Sequence, residues 1–217
     1  MFDIKWGEMK ARVIVMGAGL ALVATAAHAQ EGVKQVEQLI KKATATVKSI
    51  DETKAQIQKT MDAYNMVMAP ETKDRKSVYS KLQKEMNTTE RKRADISIRA
   101  DEMNVEADAL FKNWSASTAA ISDPALREKS EKRLADARAR YADIQADGRK
   151  ADSLYLTFMK TLRDHVTFLG HDLNDSAVAS LKPESAKVNA QAKELFAAID
   201  QATGAANTNI GALKPQS

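Results

Sequence analysis

From Val33 to Ile199 the chain repeats apolar residues at alternating steps of three and four, the beat of helices that each bury one narrow stripe. In the first segment Val33, Val36, Ile40, Ala43, Val47, Ile50, Ile57, Met61, Tyr64 and Met68 keep the beat. Only Lys54 breaks it, and its aliphatic stem can lie along the stripe while its ammonium reaches water. A sustained period of about 3.5 residues predicts left-handed, coiled-coil-like packing. Pro70 ends the segment.

The second segment runs Leu82, Met86, Thr89, Ile96, Ala100, Met103, Ala107, Leu110, Trp114, Ser117 and Ile121, with Arg93 as an interruption. Ser122-Asp123-Pro124 then stops and restarts the helix, because Asp123 can cap it and Pro124 suits the first helical position. One helix is predicted over 124–172, with Leu134, Ala137, Tyr141, Ile144, Gly148, Ala151, Tyr155, Phe158, Leu162, His165 and Leu169 on its stripe. Asn174-Asp175-Ser176 is a turn and capping cluster. The last stretch carries Val178, Leu181, Val188, Ala192, Leu195 and Ile199, and Pro183 is expected to kink or restart it. Residues 203–217, rich in Gly, Asn and Ala, read as a loose tail.

No period-two pattern competes, and short links between helices make sequential helices antiparallel. The expected fold is all-α: an elongated antiparallel coiled-coil-like bundle over 30–202, of three long helices plus a shorter fourth. At ~1.5 Å per residue the second and third helices span ~70 Å and the first ~54 Å. Aligned at Pro70, they leave a projecting two-helix tip. Phe111, Trp114, Ile121 and Leu126 near it form the candidate partner contact.

Composition sharpens this picture. Aromatic residues make up 5%, charged residues 29% and apolar residues 44%, which suits narrow seams and predicts no deep pocket. There is no cysteine, which excludes disulfides, thiolate metal sites and cysteine nucleophiles. The formal charge is +4, with basic and acidic residues closely interleaved, the pattern of solvated helix faces.

Residues 1–29 read as a cleavable export signal. Lys10 and Arg12 precede an apolar run from Val13 to Ala27, and Ala27-His28-Ala29 closes it. The run is shorter than the ~20 residues of a membrane span. Met9 makes a cleaner start than Met1, and cleavage would leave Gln30 first. A periplasmic or secreted, soluble protein follows, with no nucleic-acid partner.

Leu110-Phe111-Lys112-Asn113-Trp114, Leu126-Arg127, Ala139-Arg140-Tyr141, His171-Asp172-Leu173-Asn174 and Ala177-Val178-Ala179-Ser180-Leu181 resemble an uncharacterised bacterial envelope family, domain of unknown function 2959. The resemblance covers residues 33–200. It implies a helical, exported protein and supplies no catalytic residues. Many members of that family carry a lipoprotein signal, for which this chain has no acceptor cysteine.

Chemistry is sparse. His165, His171, Asp172 and Asn174 form a possible polar cluster, but a metal needs three or four converging ligands. His165 sits on the apolar stripe and reads as a hydrogen-bonded core residue, and His171 as a helix-ending one. No catalytic residue, metal or other cofactor is expected. Arg127 to Lys150 carries eight basic and five acidic residues, a weaker candidate for anionic lipid or glycan.

The expected role is that of a non-enzymatic structural or interaction protein of the bacterial envelope. It would act through coiled-coil faces and the hairpin tip, with an envelope protein or a second copy as partner. The alternative is a periplasmic binding module or holdase-type chaperone for anionic envelope components or clients.

Overall fold

The computed structural model describes the backbone of residues 7–213 and the side chains of residues 31–213. Among these stand four helices, α1 (Gly7–Met68), α2 (Arg75–Ala119), α3 (Pro124–His171) and α4 (Asp175–Leu213), and no strand. The side chains that define the expected export signal, and residues 214–217 of the expected tail, lie outside this description. No described helix is long and apolar enough to cross a membrane.

The helices form an antiparallel ring in chain order. α1 packs on α2 and α4, and α3 packs on the same two from the opposite side. Local chemistry sets each corner. Asp74 caps α2 by accepting a hydrogen bond from the Ser77 amide. Asp123 caps α3 by accepting from the amides of Ala125 and Leu126, with Pro124 at the start. Asn174 accepts from the Ala177 amide at 2.9 Å and so caps α4.

α1 and α2 pack most closely. On α1 the buried residues Leu39, Thr46, Thr53, Thr60 and Val67 recur every seventh position, the spacing of a left-handed supercoil. The threonine hydroxyls are satisfied locally: Thr60 donates to the Gln56 carbonyl at 3.1 Å and lies 2.9 Å from the hydroxyl of Thr89 on α2. Lys54, the break in the stripe, pairs with Asp200 of α4, and its ammonium lies 5.8 Å from the centre of the Phe196 ring.

The main core fills the end of the bundle nearest Pro70. Tyr64, Val67, Leu82, Phe158, Leu162, Leu169, Val188 and Leu195 are fully buried there. Each such side chain contributes about 1.5–3 kcal/mol on leaving water, so this end carries most of the hydrophobic stabilisation. A smaller cluster, Leu39, Ala107 and Leu110, closes the far end.

One expectation about the last segment is corrected. The loose tail expected from Thr203 is helical through Leu213. Ile210 is buried, and Leu213 packs on the far cluster, so tertiary burial outweighs a weak local helix preference. Pro183 lies inside α4 without ending it. Its ring nitrogen cannot donate to the Ala179 carbonyl, and Ala179 lies on an exposed face.

Candidate functional site

Between the packed core and the far cluster the interior is open. A cavity of about 520 Å³ runs along the bundle, lined by all four helices. The expectation that so narrow a bundle holds no deep pocket is therefore overturned. On α1 the lining extends from Leu39 to Ile57, and on α4 from Leu195 to Leu213. Either stretch covers eighteen helical steps, about 27 Å, so the cavity is long and thin. Its volume falls within the ~300–1,000 Å³ range of small-molecule sites.

The cause lies between α2 and α3, the adjacent pair that packs least closely. Two polar clasps tie these helices together. At one, the Arg93 guanidinium donates to both carboxylate oxygens of Asp152, each at 2.8 Å. At the other, the Tyr141 hydroxyl donates to Asn104 Oδ1 at 2.7 Å, and Gln145 Nε2 donates to the same oxygen at 3.0 Å. The clasps stand eleven positions apart on both helices, about 16 Å.

Between them the facing positions include Ser97, Ala100 and Gly148. These side chains are too small to fill the spacing that the long clasp side chains impose. Ile96, Met103 and Ile144 are left half-buried beside the gap.

The site's electrostatics follow from burial and pairing. The hydrogen bond from Arg93 to Asp152 is the main reason the Arg93 pKa is raised. Desolvation pushes the Tyr141 and Tyr155 hydroxyls up to about 12 each, so both are neutral at physiological pH. The Tyr155 hydroxyl is buried and has no hydrogen-bond partner. The charged lining comprises Arg93, Arg140, Arg149 and Asp152, a net positive set.

The residues singled out from sequence do not form one site. Phe111 and Trp114 turn inward and line the far end of the cavity. Phe111 packs edge-on against Tyr141, ring centres 5.7 Å apart, and Trp114 donates its indole N–H to the Ser130 hydroxyl at 3.2 Å. Ile121 is half-buried, its carbonyl accepting from Arg127 at 2.9 Å, while Leu126 is 55% exposed.

The polar cluster is likewise dispersed. His165 is buried, with Nδ1 2.8 Å from the Tyr64 hydroxyl. His171 and Asp172 are exposed where α3 ends, and Asn174 is spent as the cap of α4. Among the described residues no group of three His, Asp or Glu side chains is placed to hold a metal.

Sequence reasoning missed Arg93–Asp152, Asn104, Gln145, Arg149 and Tyr155 as parts of a site. The signals were a charge on an apolar stripe at Arg93 and small residues at facing stripe positions, Ala100 and Gly148.

The model of the family described as "Protein of unknown function (DUF2959)" matches residues 25–213. The chain belongs to that family. Helices α2, α3 and α4, α1 from residue 25 onward and every residue of the cavity lie within the match. Comparison with curated proteins and with solved structures finds no match.

Proposed function

We propose that this member of the DUF2959 family is a non-enzymatic binding protein of the bacterial envelope that holds a small apolar ligand between its helices. The supporting observation is the 520 Å³ cavity, lined mainly by aliphatic side chains from all four helices. A densely packed interior leaves few voids larger than a water molecule. A void of this size costs cohesion, and an occupant that replaces the lost contacts offsets that cost.

The polar groups at its rim are mostly engaged with one another, as in Arg93–Asp152 and Tyr141–Asn104, which suits holding a ligand better than turning one over. Export to the periplasm or beyond rests on the signal-like pattern of residues 1–29.

Titration with N-phenyl-1-naphthylamine, a neutral apolar fluorophore, tests this reading. One saturable site per chain with a blue-shifted emission is expected. Emission that grows linearly without saturation would rule the binding role out.

A second reading is an interaction protein working through its helix faces and the α2–α3 tip, with an envelope protein or a second copy as partner. Leu126 favours it, because a leucine 55% exposed at the tip is placed for contact. Crosslinking followed by pull-down, with Leu126→Ser as the variant, is expected to lose specific partners. An unchanged set of partners would remove this reading.

A further inference from the structure

We propose that the ligand is a single-chain anionic amphiphile of the fatty-acid class, its chain lying along the bundle and its carboxylate held beside Tyr155 and Arg149. This deepens the binding role proposed above and rests on it.

Shape selects a chain. The cavity is about 27 Å long by the helical rise and holds about 520 Å³, so it accepts an extended molecule and not a broad ring system. Its lining along that length, including Val47, Ile50, Ile144 and Ile199, offers methyl and methylene groups. Each methylene of an alkyl chain buried against them leaves water favourably.

The end nearest the packed core supplies the polar partner. Tyr155 lines the cavity, is only 6% exposed, and has a hydroxyl that meets no acceptor or donor. A buried hydroxyl left unpaired is destabilising, so an oxygen acceptor arriving there relieves a penalty already present. The charges that bear on this hydroxyl are Glu90, Arg93, Arg163 and Asp152. They are already matched: Arg163 donates to Glu90 at 2.5 Å, and Arg93 to Asp152 at 2.8 Å.

Arg149, six residues and about 9 Å before Tyr155 along α3, also lines the cavity, is exposed and makes no ion pair with a described residue. The uncommitted charge at this end is thus positive, and the uncommitted hydroxyl is a donor. A carboxylate answers both.

The experiment uses the full protein as the cell processes it, with 16-(9-anthroyloxy)palmitate as probe and palmitate or palmityl alcohol as competitors. Palmitate is expected to displace the probe at least tenfold better than the alcohol. Tyr155→Phe and Arg149→Gln should each weaken palmitate several-fold and leave the alcohol unchanged. Circular dichroism checks that each variant is folded.

Ala202→Leu with Ala206→Leu, which fills the cavity from α4, should abolish both competitors. Lysophosphatidylglycerol, whose anionic group is a phosphodiester, tests the headgroup. Displacement by palmitate and not by the lysolipid supports the proposal, and equal displacement by the lysolipid would overturn the carboxylate assignment.

Equal affinity for palmitate and its alcohol, blocked by the filling variant, would overturn the carboxylate assignment while leaving the binding role standing. No binding of either competitor or of the naphthylamine would overturn both.

Discussion

Arg93 and Asp152 bind each other through two parallel hydrogen bonds of 2.8 Å across the α2–α3 gap, where the apolar stripe of α2 is broken. The pair is a spacer as much as a bond, because two extended polar side chains hold the helices apart beside Ala100 and Gly148. Both side chains are more than a third exposed, so solvent screening keeps the pair's energy small. A double-mutant cycle with Arg93→Ala and Asp152→Ala, read by urea denaturation, should give a coupling of about 0.5–1 kcal/mol. It should shrink in about 1 M salt. A coupling of zero at low salt would leave the clasp without energetic content.

The two halves of the interior should respond unequally to truncation. Leu162 is fully buried among Tyr64, Phe158 and Leu195, so Leu162→Ala should cost about 2–5 kcal/mol. Ile144 is half-buried beside an existing void, so Ile144→Ala should cost about 1 kcal/mol or less, since little new cavity is made. Chemical denaturation compares them directly, and equal losses would mean that the middle of the bundle is as densely packed as its end.

Two glycines of α3 make a sharper pair. A Cβ at Gly148 would meet nothing within 4 Å, so Gly148→Ala should stabilise by about 0.5–1 kcal/mol through helix preference alone. A Cβ at Gly170 would lie 2.8 Å from the Tyr79 hydroxyl, which donates to the Val166 carbonyl. Displacing that hydroxyl costs about 1 kcal/mol, which cancels the gain, so Gly170→Ala should be neutral or slightly destabilising. Thermal melts of the two variants beside the parent protein decide it.

Acid should weaken the fold through His165. Burial is the main cause holding its pKa below the ordinary value, against the opposing charges of Glu184 and Asp164 and with Lys187 adding to the depression. The unfolded chain therefore binds the proton more readily. Stability is whole above the unfolded value of about 6.5 and falls as the pH drops toward the folded value. Melting temperatures across this range should decline for the parent and decline less for His165→Gln, which cannot titrate. A steeper decline in the variant would reverse the assigned sign.

The fold was legible where the signal is local or strictly periodic. The three-and-four beat marks the helices, and Asp123, Pro124 and Asn174 mark two corners, because a cap needs only the next few residues. The threonine repeat at 46, 53 and 60 was not legible, because a hydroxyl satisfied by its own helix behaves as apolar filling only once α2 covers it. Thr203–Leu213 was misjudged because its helix depends on the burial of Ile210 against the rest of the bundle. The cavity was hidden for a related reason. Ala100 and Gly148 on facing stripes read equally well as close helix approach, and what decides is the separation set by Arg93–Asp152 and Tyr141–Asn104, residues 59 and 37 positions apart.

The central claim is that this bundle keeps a largely apolar cavity between its packed end and its far cluster. Xenon under pressure in a crystal of the ligand-free protein tests it without assuming any ligand, because xenon binds in apolar cavities. Anomalous peaks beside Val47, Ile144 and Ile199 are the predicted result. A xenon-free interior, with those side chains closed against one another, would contradict the account.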